Sequence, residues 1–132
     1  IKDGSSLMVS FVRSKERKQL NLPGRNSSEL MSKSFGSSST TVRIVEIEPG
    51  PSARGPHLHE TFEEVIHVLE GSGLLKTSAG DFILGQGDTV CIPAGMLHQT
   101  INDTDSIVRL ICLFPVDDIR YGTQEFESWS NA

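Results

Sequence analysis

Apolar and polar positions alternate along most of the chain, and apolar spacing of the helical kind is almost absent. A period of two sends successive side chains to opposite faces, so the pattern predicts strands with one buried face each. The segments that carry it are residues 7–13, 17–22, 41–48, 56–59, 64–69, 73–77, 81–84, 89–92, 97–102 and 107–114. Turn chemistry falls between them: Pro49-Gly50-Pro51, Gly71-Ser72-Gly73, Ala79-Gly80, Gly85-Gln86-Gly87, Pro93-Ala94-Gly95 and Asn102-Asp103. Roughly ten short strands punctuated in this way predict an all-β closed barrel or sandwich with little helix. A helical turn is predicted over residues 27–35 and a polar loop over residues 37–41. After Pro115 the alternation stops. There Tyr121, Phe126 and Trp129 stand among polar residues, as expected of a tail (115–132) that covers an opening or docks on a neighbour.

Length and charge narrow the picture. The 132 residues suffice for one domain, taken as residues 1–132, and 36% hydrophobic residues suffice for a single core. A net charge of −5 argues against nucleic acid as a partner, because a phosphate-binding surface needs a basic face. No apolar run approaches the ~20 residues of a membrane span, so no membrane partner is predicted. Residues 1–4 show no basic stretch followed by an apolar one, and no secretory leader is expected. Cys91 and Cys112 lie in apolar surroundings, without a second cysteine at metal spacing. They are expected to be buried free thiols of a cytoplasmic protein.

Three histidines and one acid stand out as chemistry. His57 and His59 are two apart in a strand-like segment, so both leave the same face. Glu64 follows past a bend, at the head of the next strand, and His98 opens a short strand after Pro93-Ala94-Gly95. Three imidazoles and a carboxylate aimed into one barrel make a mixed nitrogen and oxygen site for a divalent transition metal. A structural zinc would more often use cysteine, and both cysteines lie far from this group.

At these positions the chain resembles the cupin superfamily. His57-x-His59-x4-Glu64-x6-Gly71 is similar to the first cupin motif (residues 50–71), with one residue more than usual between Gly50 and His57. Gly87-x5-Pro93-x-Gly95-x2-His98-x3-Asn102 matches the second motif (residues 87–102) at every fixed position. The resemblance implies a double-stranded β-helix, or jelly-roll barrel, with one divalent transition metal per chain. Iron or manganese is favoured, and nickel, zinc and copper are compatible. It implies His57, His59, Glu64 and His98 as ligands. Glu63 also fits the shorter motif option, but only Glu64 leaves six residues before Gly71. The same choice puts Glu64, Ile66 and Val68 on one strand face and Val65, His67 and Leu69 on the other.

The implied function is a metal-dependent enzyme acting on a small, oxygen-bearing molecule. The first reading is dioxygenase-type oxidation or cleavage. The alternatives are a non-redox isomerase, ketonisation or lyase reaction on a sugar acid or keto acid, and a non-catalytic ligand-binding module. Arg54, just before the first motif, is a candidate partner for a substrate carboxylate, and Ile66 and Thr100 are candidate pocket residues. Arg43 and Arg109 are expected to form surface ion pairs, His67 to pack or join an interface, and Asn102 to close a turn. The resemblance also implies a homodimer, with residues 7–13 and the tail as candidate contacts.

Overall fold

The alternating segments pair into two antiparallel sheets in the computed structural model, which describes residues 7–52 and 54–132. Residues 1–4, where no leader is expected, lie outside the described residues. In chain order the strands are β1 (Lys18–Leu22), β2 (Arg25–Met31), β3 (Thr41–Ile47), β4 (His57–His59), β5 (Glu64–Glu70) and β6 (Gly73–Thr77). They continue with β7 (Gly80–Leu84), β8 (Thr89–Ile92), β9 (His98–Ile101), β10 (Val108–Phe114) and β11 (Thr123–Glu125). One sheet runs β1-β2-β3-β10-β5-β8 and the other β11-β4-β9-β6-β7. Among the described residues helix is confined to three single 3₁₀ turns, at Ser14–Glu16, Lys33–Phe35 and Trp129–Asn131. Among the described residues no helix is long and apolar enough to cross a membrane.

The core lies between the sheets, where alternation is cleanest. Along β5, Ile66 and Val68 point inward, and along β10 Val108, Leu110, Cys112 and Phe114 do the same. Leu75 of β6 meets them from the opposite sheet and is fully buried. Burying side chains of this size stabilises the fold by roughly 1.5–3 kcal/mol each. Gly71, at φ +82°, ends β5 in a conformation that side chains resist. A Cβ there would also sit 2.7 Å from the Ile107 carbonyl oxygen, so the motif glycine is required twice over.

Three expectations are overturned. Residues 7–13 form no strand, and Leu7, Met8, Val9 and Phe11 are largely exposed. Most of the segment expected as a helical turn (27–35) is strand β2, and only Lys33–Phe35 turns. The alternation is present in β2 but written in polar residues: Arg25, Ser27 and Glu29 take the inward face. A search for apolar alternation passes over such a strand. The third concerns the thiols, since Cys91 is exposed on the outer face of β8 while Cys112 is buried as expected.

The tail also supplies a strand. β11 pairs with β4, with Thr123 opposite His59 and Glu125 opposite His57. The Phe126 amide donates to the Pro56 carbonyl at 3.0 Å, and the Phe126 carbonyl passes so close to Gly55 that a Cβ could not fit. The tail therefore covers the opening beside the first motif.

Candidate metal centre

Strand parity and pairing bring the four motif residues to one point between the sheets. β4 carries His57 and His59 inward, and β9 places His98 directly opposite His57 in register. Glu64 reaches across from the head of β5 in the other sheet. The Pro93-Ala94-Gly95 turn joins these parts: the Gly95 amide donates to the His59 carbonyl at 2.7 Å, with Gly95 at φ +82°. One ligand atom from each of His57, His59, Glu64 and His98 lies within 4.8 Å of the others, and all four side chains are buried.

The protons on the two bonded imidazoles can be assigned from their outer partners. His98 Nδ1 lies 2.9 Å from the Met96 carbonyl, which only accepts, so Nδ1 carries hydrogen. Thr123 donates its hydroxyl hydrogen to the Ile119 carbonyl. Its oxygen is then free to accept from His59 Nδ1 at 2.8 Å. Each Nε2 is thereby turned toward the centre. Both point at the same oxygen, Glu64 Oε1, at 3.2 Å from His59 and 3.1 Å from His98.

Burial alone would push the Glu64 carboxyl up, but the two imidazoles against it hold it well below the usual carboxylate range. Burial and the nearby positive charge of Arg54 draw His57 down to about 2, so that ring is neutral. His57 Nδ1 is buried and has no hydrogen-bond partner among the described residues. Three imidazole rings and one carboxylate thus meet at a single buried point. An orphaned buried nitrogen beside such a set completes a donor group suited to a divalent transition metal.

A small cavity of about 90 Å³ opens beside this group. Ligand sites for drug-sized molecules are roughly 300–1,000 Å³, so only a compact molecule suits it. Ile66 and Thr100 line it, as does Arg54. The Arg54 guanidinium is engaged by Glu125, with Nε donating to Oε1 at 2.9 Å and Nη2 to Oε2. The Arg54 carbonyl accepts from Gln99 Nε2, and Gln99 Oε1 accepts from Trp129 Nε1 at 2.8 Å. This chain of bonds ties the tail to the rim of the cavity.

Sequence reasoning missed four residues of this surround. Thr123 came from the tail, whose single short strand is too brief to show alternation. Arg25 and Ser27 came from β2, and both line the cavity. Ser27 is 1% exposed and its Oγ has no partner among the described residues, at a cost of about 1–3 kcal/mol for a buried unpaired hydroxyl. Cys112 lines the cavity as well, but burial and the adjacent Glu64 push its thiol well up, so it is no nucleophile.

Other residues sit away from the centre. His67 faces outward and bonds Thr89 Oγ1 at 2.7 Å through Nδ1. Glu63 is exposed and accepts from Cys91. Arg43, expected at the surface, instead lines the cavity and pairs with buried Glu29 at 2.9 Å, because β2 places that acid on its inward face, while Arg109 pairs with Glu46 at 4.0 Å. Asn102 closes the turn after β9, donating to the Ile47 and Ser106 carbonyls at 2.9 and 2.7 Å.

The family model of the cupin domain matches residues 43–114, more than half of the chain, from the inward face of β3 to the end of β10. The chain belongs to the cupin family. The cupin is 32% identical over 66 residues to an acireductone dioxygenase of Tuber melanosporum, across 46% of this chain and 38% of that protein. It spans less than half the length of the curated relatives it matches. Among solved structures, the polyketide cyclase RemF of Streptomyces resistomycificus superposes with a TM-score of 0.68 at 25% identity. That match covers 82% of this chain and 80% of the cyclase. A sugar phosphate isomerase of the cupin superfamily from Silicibacter pomeroyi gives 0.66 at 25% identity, across 80% of this chain and 74% of the isomerase.

Proposed function

We propose that this cupin is a metal-dependent enzyme, one domain over residues 1–132, that oxidises or cleaves a small oxygen-bearing molecule with dioxygen. His57, His59, Glu64 and His98 would hold one divalent iron or manganese ion. The observation that carries this reading is the meeting of one ligand atom from each of three buried imidazoles and the Glu64 carboxylate within 4.8 Å of one another. A bound iron or manganese would supply Lewis acidity and redox chemistry toward dioxygen.

The protein's own contribution is positional. Met96 and Thr123 fix the ring orientation of His98 and His59, so that the Nε2 atoms face inward without rearrangement. Phe62 stacks on His59 with ring centroids 4.8 Å apart, and Phe114 meets its edge at 5.3 Å, which keeps water from that side. The cavity limits the substrate to a compact molecule, and the tail closes its rim.

A non-redox reading draws on the cyclase and the isomerase, which this chain matches over most of their length. Isomerisation needs a proton carrier near the substrate. Apart from the four-residue group, the one carboxylate on the cavity lining among the described residues is Glu48, exposed at the rim, which favours the oxidative reading. We also infer a homodimer, supported by the exposed apolar side chains of Leu7, Met8, Val9 and Phe11.

Elemental analysis of untagged wild type and Glu64→Ala, followed by oxygen-uptake assays, tests the proposal. About one iron or manganese per chain, lost in the variant, with substrate loss coupled to oxygen uptake, is the expected result. Turnover without oxygen would favour the non-redox reading. Protein that takes up no metal even on reconstitution would leave a ligand-binding module.

A further inference from the structure

The polar inward face of β2 is the least explained surface in the molecule. Core-facing strand positions are ordinarily apolar, yet β2 turns Arg25, Ser27 and Glu29 inward. Glu29 is used structurally, accepting from Arg43 and from Ser32. Arg25 and Ser27 are not. Their positions two apart put both on one face, and both line the cavity that holds the His and Glu group.

The Arg25 guanidinium makes no hydrogen bond or ion pair to a described residue, although the two other cavity arginines are each taken, Arg43 by Glu29 and Arg54 by Glu125. Burial and the like charges of Arg54 and Arg43 draw Arg25 down to about 10, with Glu125 compensating in part. It is still a cation at neutral pH, held where a second positive neighbour works against it. Glu48, the exposed acid of the lining, forms no ion pair with it.

Ser27 is the second, independent sign. Its register partners are Leu20 on β1 and Val45 on β3, neither of which offers a side-chain acceptor. The hydroxyl is thus buried, orphaned and directed at the same space. A planar fork of donors beside one more hydroxyl donor suits an anion with two oxygens in a plane. The small cavity volume suits a carboxylate better than the bulkier, more heavily hydrated phosphate.

We propose that Arg25 and Ser27 form a carboxylate-binding subsite, so that the substrate of this cupin carries a carboxylate held on the β2 wall while its reacting end faces the His and Glu group. The second half of this statement rests on the metal-dependent reading above; the first half does not. The charge of Arg25 selects an anion, its fork sets the plane of the carboxylate, and Ser27 donates to the oxygen nearer the strand.

The test is calorimetric titration with malonate, its uncharged counterpart malonamide, and inorganic phosphate. Wild type, Arg25→Gln, Arg25→Lys and Ser27→Ala would be compared, each as purified and after removal of metal by a chelator. Malonate should bind wild type in both states and malonamide in neither. Arg25→Gln should weaken malonate ~10-fold or more, and Ser27→Ala by a smaller factor. Arg25→Lys, which keeps the charge and loses the fork, should fall between wild type and Arg25→Gln. Thermal melts of the variants check that each is folded. Equal malonate affinity in wild type and Arg25→Gln, or phosphate bound as tightly as malonate, would overturn the subsite. If the protein proves to hold no metal while Arg25-dependent malonate binding persists, the metal reading falls and the subsite stands.

Discussion

Two walls of one cavity are built on different logic. On the wall formed by β4, β5 and β9, the functional side chains sit at fixed short spacings and are held by turns that glycine makes possible. On the other side of the contrast, Arg25 and Ser27 of β2 line the cavity while Thr123 and Glu125 of β11 bond His59 and Arg54, all from segments with no motif, about 100 residues apart at the extremes. The first wall offers imidazole nitrogens and one carboxylate, donor types suited to a divalent transition metal. The second offers a guanidinium, a hydroxyl and the outer partner of His59. The contrast separates what a site must keep to bind a metal from what it can vary to choose a ligand.

Removing His59 should separate the walls most sharply. Metal affinity in His59→Ala is expected to fall by more than ~100-fold, beyond the usual effect of losing an outer partner, and isothermal titration with manganese reads it directly. A change of tenfold or less would place His59 outside the donor set. Thr123→Val tests whether the tail belongs to the centre. Loss of the acceptor for His59 Nδ1 should weaken metal binding ~10-fold, and Thr123→Ser should restore it. Were Thr123→Val to bind as wild type does, β11 would be a cover only.

The pH dependence comes next. Protons compete with metal for imidazole nitrogen, so affinity falls as pH falls. His57, held down to about 2, takes up no proton in the range where free imidazole titrates. A plot of log affinity against pH should therefore stay below a slope of three between pH 7 and 5. A slope of three would mean that His57 takes up a proton in that range.

Glu125→Gln probes the anchor of the second wall at lower stakes. Burial works against the Glu125 charge, but Arg54 overrides it and holds the carboxyl below its usual value of 4.5. A depressed carboxylate stabilises the fold above its unfolded pKa and loses that contribution as pH falls through the folded one. Wild type should thus exceed Glu125→Gln at pH 7 by under about 1 kcal/mol, since the pair is partly exposed. Denaturant melts of the two proteins should converge well below pH 4.5. His67→Ala should change metal affinity least of all, because the ring faces away from the centre and bonds Thr89.

How much of this was legible depends on which interactions write themselves into neighbouring positions. Parity alone put Glu64 on the face of Ile66 and Val68 and sent His67 outward, because in a strand the period is fixed by covalent geometry. The turn at Pro93-Ala94-Gly95 was equally visible, since only glycine takes φ +82° without strain. β2 was not legible: apolar alternation is the signal for a strand, and its inward positions are polar. Residues 7–13 show the converse, with alternating apolar residues that meet no partner strand among those described and remain exposed.

Local sequence suffices for the period of each strand, for the shared face of His57 and His59 and for the glycine turns that let the four motif residues approach. These follow from local backbone sterics and spacing, which need no knowledge of distant contacts. It takes long-range packing to return β11 to β4 with Thr123, to set Glu125 on Arg54, and to leave the Arg25 guanidinium and the Ser27 hydroxyl facing the cavity without partners among the described residues. Those outcomes depend on pairing between segments far apart in the chain. Whether a polar side chain finds a neighbour or an empty wall is settled by what the rest of the fold places opposite it.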